Sequence, residues 1–165
     1  MNKLLPYIMM LVFLLSSCIT EGDKVGQELV VGDKVPEFSV RMDNGETITA
    51  GDLMGNVSLI VFFHTSCKDC QKQLPVLQAF YERYPQYPLV CISREENAAS
   101  VSAYWANAGF TMPYSAQEDR SVYHLFAYQR VPRIYVVDTE GVICRIFTDS
   151  PLASLEDLLE AIETG

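Results

Sequence analysis

The chain has 165 residues, with 12 lysines and arginines against 21 aspartates and glutamates, a formal net charge of −9. That length allows one domain. The acidic balance argues against nucleic acid as a partner, because phosphate binding needs clustered Lys and Arg, and against a polybasic membrane contact.

Residues 1–17 read as a leader rather than as part of a fold. Met1-Asn2-Lys3 is a short basic start, and Leu4 to Leu15 is mostly apolar. The run is shorter than the roughly 20 residues needed to span a bilayer, and it fits the core of a secretory signal. Small residues then precede a cysteine in Leu15-Ser16-Ser17-Cys18, which resembles the bacterial lipoprotein processing box. The resemblance implies cleavage before Cys18 and lipidation of that residue. The plainer alternative is an ordinary signal peptide with an incidental cysteine. Residues 18–30 are polar, contain glycine and show no period, and read as a flexible tether.

The globular part is expected over 31–165. Val35 to Val40 is a short extended piece, and the Asn44-Gly45 turn signal leads into Thr47-Ile48-Thr49 as its return strand. The stretch 52–56 reads as a loop or one helical turn. The apolar run 57–63 reads as a buried strand. A helix follows to about Tyr84, carried by Leu74, Leu77, Gln78, Tyr81 and Tyr84 at three- and four-residue steps, with a kink expected at Pro75. Residues 89–93 form the next strand. Asn97 or Ser100 can cap a helix through Ala108, closed by Gly109. A brief strand is expected at 112–114 and a helix over 120–128, with Val122, Leu125 and Phe126 on one face. Residues 133–137 and 142–147 form a hairpin, and 154–163 an amphipathic helix. Strands alternating with helices indicate a three-layer α/β domain.

The chemistry concentrates where the strand 57–63 runs into a helix, at His64-Thr65-Ser66-Cys67-Lys68-Asp69-Cys70. A helix start presents unsatisfied N–H groups and partial positive charge, which stabilise a thiolate at Cys67. Cys70, one turn on, is placed to attack a disulfide formed at Cys67. A C-x-x-C pair is also half of a zinc site, but zinc takes four ligands. His64, His124, Cys91 and Cys144 are the other candidates and none makes a second close pair, so no metal is expected. A static disulfide is disfavoured by the strand-to-helix position. His64 could assist thiolate formation or be only a polar turn residue.

The order of elements around Cys67-x-x-Cys70, the opening Val31-Gly32-Asp33-Lys34-Val35-Pro36-Glu37-Phe38, Val131-Pro132, and Gly141 after the turn 138–140 resemble the thioredoxin-like TlpA/ResA-type thiol–disulfide oxidoreductases of bacterial envelopes. The resemblance covers nearly all of 31–165. It implies a thioredoxin-like α/β/α sandwich with an N-terminal hairpin and a central helix-strand insertion. It also implies a cis bond at Val131-Pro132 facing the cysteines, where substrate would bind. Ungapped counting from Pro113 puts the family's buried acid at Glu96, as a proton acceptor for Cys70; the plain reading of Glu96 is a solvated acid at a helix start. Cys91 and Cys144 read as core positions on strands, as free cysteine commonly is; in the implied sheet order they lie three strands apart, roughly 14 Å, beyond the reach of a disulfide, so two unpaired thiols are expected. Three residues depart from the family pattern. Ser66 stands where Trp is usual, Asp69 where Pro is common, and Arg133 where Thr follows the cis-proline. Lys68 and Asp69 should act on the Cys67 sulfur in opposite directions.

Three function classes compete. The first is a dithiol oxidoreductase with no cofactor. It would exchange disulfides with envelope proteins and a further redox partner, from a lipid anchor facing the periplasm or exterior. The second is a peroxiredoxin-like peroxidase, whose P-x-x-x-T-x-x-C arrangement is absent because Ile60 and His64 occupy the Pro and Thr positions. The third is a non-catalytic binding module, against which the intact C-x-x-C argues.

Overall fold

A computed structural model describes residues 28–165, so the leader, Cys18 and the tether up to residue 27 lie outside the described residues. The apolar run ahead of the C-x-x-C forms β3 (Ser58–Phe63), buried at every position. A strand with no polar face must be covered on both sides, and β3 is the centre of a five-stranded sheet. On one side it pairs in parallel with β4 (Leu89–Ser93), which pairs in parallel with β5 (Tyr114–Ser115). On the other side it pairs antiparallel with β6 (Arg133–Val137), which pairs antiparallel with β7 (Ile143–Phe147). A separate hairpin joins β1 (Ser39–Arg41) to β2 (Thr47–Thr49), turning at Gly45 with φ 89°. That positive φ is the conformation glycine adopts without a Cβ penalty.

Alternation along β3 sends neighbouring side chains to opposite faces. Phe63 meets Trp105 of α2 (Ala98–Ala108), ring centroids 4.9 Å apart. Phe62 meets Phe126, Tyr123 and Tyr135 on the other face, at 4.9, 5.3 and 6.3 Å. Burying one such side chain contributes about 1.5–3 kcal/mol. The helix after the cysteines is α1 (Lys68–Arg83), which runs on through the exposed Pro75. It packs beside α3 (Leu155–Thr164). Two buried glutamines clasp α1 to the chain around it. Gln73 exchanges two hydrogen bonds with the backbone of Ala153. Gln78 accepts from the N–H groups of Thr111 and Met112. As expected, Asn97 caps α2 by accepting from the Ser100 N–H, and Gly109 closes it at φ 69°.

The fold is the expected thioredoxin-like α/β architecture, with the hairpin and the inserted α2–β5 segment in place. Four local expectations change. The helix read over 120–128 is a single 3-10 turn, Tyr123–Leu125. The N–H groups of Leu125 and Phe126 reach back three residues, to Val122 O and Tyr123 O, and Phe126 O accepts from the Leu29 N–H and the Tyr135 hydroxyl. Phe126 is buried there, whereas Leu125 is exposed. The brief strand at 112–114 is shifted to Tyr114–Ser115. The packed chain already includes Glu28 to Val30, for Leu29 is buried and Glu28 pairs with Arg133. Cys144 is half-buried on β7 rather than in the core, its thiol donating to Val136 O at 3.3 Å.

Cys91 is fully buried on β4, and burial pushes its thiol up to about 12 from an ordinary value of 9.0. Its proton is therefore kept in the folded state at pH values where the unfolded state has lost it. The unfolded state then binds fewer protons, so stability falls as pH rises from about 9 towards 12, by at most about 1.4 kcal/mol per pH unit for one group. Cys91→Val should make the alkaline loss of stability shallower by up to that amount. Urea unfolding under reducing conditions at pH 8, 9 and 10 measures it; equal slopes in parent and variant would show that burial does not penalise this thiolate.

Candidate active site

Beyond Phe63 the chain turns through His64, Thr65 and Ser66, and the Cys67 N–H closes the turn on His64 O at 3.0 Å. Cys67 is the N-cap of α1, in extended backbone, where the partial positive charge of the helix start lies. Its half-buried sulfur donates to Val131 O at 3.3 Å. Cys70, in the first turn of α1, is fully buried, and its sulfur accepts from the His64 N–H at 3.5 Å. Burial, set against that bond, pushes the Cys70 thiol far above its ordinary value. The two thiols are therefore unlike: one reachable at a helix start, the other closed off and held protonated. The Val131–Pro132 peptide is cis, and Val131 faces Cys67 because β6 begins directly after it, opposite the end of β3.

Glu96 lies at the same end of the sheet, past β4. Its side chain is only 7% exposed, which removes the reading as a solvated acid. It accepts from the Thr65 N–H at 2.7 Å and from the Thr65 hydroxyl. Consecutive amides thus hold Cys70 and Glu96: His64 N–H takes the sulfur and Thr65 N–H the carboxylate. His64 Nδ1 accepts from the Ser66 N–H at 3.2 Å, so in this arrangement that nitrogen carries a lone pair. Glu96 Oε1 stands 3.7 Å from it.

Asp69 is paired with Lys72 at 2.8 Å, both of them exposed. Lys72 was passed over in the sequence, although its i,i+3 spacing from Asp69 is a recognisable signal. Thr65 was also missed, and only the distant Glu96 gives it meaning. Arg133, which follows the cis-proline, turns into the domain and is 8% exposed. Cys91 and Cys144 stand three strands apart in the sheet, away from the site. Among the described residues no three His, Cys, Asp or Glu side chains gather to hold a metal ion, and no helix is long and apolar enough to cross a membrane.

Comparison with known proteins agrees with this geometry. The chain is 23% identical over 137 residues to the thiol–disulfide oxidoreductase ResA of Bacillus subtilis, covering 81% of this chain and 76% of that one. It is 26% identical over 118 residues to the thioredoxin-like protein YneN of the same organism, covering 68% of each. Among solved structures it resembles a thio-disulfide isomerase from Thermus thermophilus, with TM-score 0.68 and 25% identity, covering 82% of this chain and 96% of that one. It also superposes on the thioredoxin domain of a thiol–disulfide oxidoreductase from Bacteroides vulgatus, with TM-score 0.70 and 18% identity, covering 82% and 99%. Residues 31–146 match the AhpC/TSA family, and the chain, thioredoxin-like in fold and carrying its C-x-x-C where the central strand meets a helix, belongs to that family.

Proposed function

We propose that this thiol–disulfide oxidoreductase exchanges disulfides with proteins of the cell envelope, with Cys67 attacking and Cys70 resolving. The observation that carries the reading is the contrast between the two thiols, Cys67 half-exposed against Val131 O and Cys70 buried. The Cys67 thiolate attacks one sulfur of a partner disulfide. A Cys67–partner bond forms, and the partner's other sulfur leaves and takes up a proton. Cys70 then loses its proton and attacks the Cys67 sulfur, which releases the partner's second thiol and leaves a Cys67–Cys70 disulfide. Two electrons have passed to the partner, and a second envelope dithiol must return them; run backwards, the same steps oxidise a partner dithiol. Val131 and Pro132 form the edge along which the partner chain lies. Glu96 accepts the Cys70 proton, a role supported by its burial at the turn that also holds the Cys70 sulfur. A lipid on Cys18 anchors the protein to the membrane.

Cys70→Ser should trap partners as mixed disulfides on Cys67, whereas Cys67→Ser should trap few. Non-reducing gels and mass spectrometry read this, and equal or reversed trapping defeats the assignment. Parent protein that consumes peroxide yet leaves insulin disulfides intact would instead favour a peroxidase.

Glu96→Gln should slow resolution by about 100-fold, the low end of general-base effects, while leaving the first attack by Cys67 unchanged. Rapid quenching with acid, followed by mass analysis of the mixed disulfide, separates the two steps. Parallel slowing of both steps would make Glu96 a purely structural residue.

Cys18→Ala should leave the precursor unprocessed or move the protein out of the membrane fraction. The same mass and the same fractionation as the parent would remove the lipid anchor from this reading.

A further inference from the structure

Three consecutive carbonyls lead into the cis-proline, and each has its own donor. Gln129 O accepts from Arg133 Nε at 3.2 Å, Arg130 O from the Tyr123 hydroxyl at 2.7 Å, and Val131 O from the Cys67 sulfur at 3.3 Å. Between them Arg130 adopts φ 70°, and it is the one non-glycine residue with positive φ among the described residues. A non-glycine residue holds that conformation only where its surroundings over-determine it. Here the surroundings include the Arg133 and Tyr123 side-chain donors, and Arg130 Nη1 also stands 3.7 Å from Asp149 Oδ1. Arg133 is itself anchored. Its Nη2 donates to Glu28 Oε2 at 2.9 Å, and the other Glu28 oxygen is buried with no hydrogen-bond partner among the described residues. Glu28 has been drawn into the domain by this cation, from the segment that leads in from the N-terminus.

We propose that the Glu28–Arg133 ion pair, together with Tyr123, is a positioning strap that holds the 129–132 loop at Cys67 and so sets how well a protein disulfide docks there. The proposal rests on the oxidoreductase reading of the site. None of the three residues touches a reacting sulfur. They act through the backbone of Gln129 and Arg130, and the loop they hold presents the Val131 carbonyl to Cys67. Arg133 suits the task because its guanidinium is a planar fork with several fixed donors. One donor meets a backbone carbonyl and another a carboxylate, which a lysine ammonium cannot reproduce in the same geometry. The strap also ties the loop to the segment that enters from the N-terminus, so the site and the start of the packed chain are held as one piece.

The test uses the full chain in detergent, with Glu28→Gln, Arg133→Lys, Arg133→Met and Tyr123→Phe beside the parent. Insulin serves as the protein disulfide. The small aromatic disulfide 5,5′-dithiobis(2-nitrobenzoate), which reaches Cys67 without docking along the loop, serves as the control. KM for insulin should rise by about threefold or more in Glu28→Gln and further in Arg133→Met, with kcat within about twofold. Arg133→Lys should fall between the parent and Arg133→Met. The rate with the small disulfide should stay within about twofold of the parent throughout. Glu28→Gln carries the test if Arg133→Met does not fold, since Glu28 is 38% exposed and its neutral form still accepts a hydrogen bond. An unchanged KM in Glu28→Gln and Tyr123→Phe overturns the strap, as does a parallel fall of both rates. A parent that reacts with the small disulfide and leaves insulin intact overturns the oxidoreductase reading, and the strap with it.

Discussion

The antiparallel pairing of β3 with β6, in the register that sets Phe62 opposite Arg133, is the constraint on which the site depends. It brings the residues leaving β3 against the residues entering β6. Cys67 and Val131, 64 positions apart in the chain, become hydrogen-bond partners. The parallel pairing on the other side, Phe63 opposite Ser93, brings the exit of β4 to the same end of the sheet. Glu96, three residues past Ser93, then reaches Thr65. Two cysteines, a carboxylate and a cis-proline therefore meet because three strands share one register. A slip of one residue would turn Phe62 and Phe63 to the wrong faces and break their aromatic contacts, so the core that fixes the register also fixes the chemistry.

The same geometry explains why the two sulfurs differ. Cys67 is at the N-cap, the last residue before helical bonding begins, and its side chain lies at the rim of the domain. Cys70 is three residues on, on the face of α1 that turns inward with Leu74 and Leu77. Burial disfavours an ionised Cys70, and the single His64 N–H at 3.5 Å is a long bond that offsets little of it. A buried thiol that stays protonated does not compete with Cys67 for the partner disulfide. In the proposed exchange it needs a base when its turn comes, and Glu96 is the buried carboxylate held by the next amide along. The proposed order of attack rests on the depth of each sulfur and on the place of Cys67 at the helix start.

Much of this was legible because it is local. The run 57–63, apolar but for Ser58, reads as a covered strand, Asn97 and Gly109 are ordinary helix caps, and the C-x-x-C sits where strand period gives way to helix period. The misreadings are long-range. Val122, Leu125 and Phe126 have helical spacing, yet the chain makes a single 3-10 turn there and then ties its Phe126 carbonyl to Leu29, 97 positions back in the sequence. The polar composition of 18–30 suggested a tether up to Val30, but Leu29 is buried and bonded to Phe126 O, and Glu28 pairs with Arg133, 105 positions away. Glu96 was found only by counting from Pro113 on a family resemblance. Nothing within the sequence around it distinguishes it from Glu95, which turns outward to Arg120.

Arg133 shows how one such departure rearranges its surroundings. A cation placed on the Phe62 face of β6 stands among Tyr123 and Tyr135, and leaving it unpaired there would cost several kcal/mol. Glu28 removes most of that cost, and the Gln129 carbonyl takes the Nε that Glu28 does not reach. Hydrogen bonds to charged groups contribute about 1.5–3 kcal/mol and neutral ones about 0.5–1.5 kcal/mol. The left-handed backbone at Arg130 costs about 1–3 kcal/mol. The Arg133–Gln129 and Tyr123–Arg130 bonds are of the same order as that cost, and the Arg130–Asp149 pair at 3.7 Å stands beside them. A backbone balanced in this way responds to the loss of either donor. The family's usual threonine, short and neutral, would bring in neither the demand for a partner acid nor the second hold on the loop. The arginine on β6 thus adds an ion pair at Glu28 to a segment that Leu29 already holds, by its burial and by its N–H bond to Phe126 O.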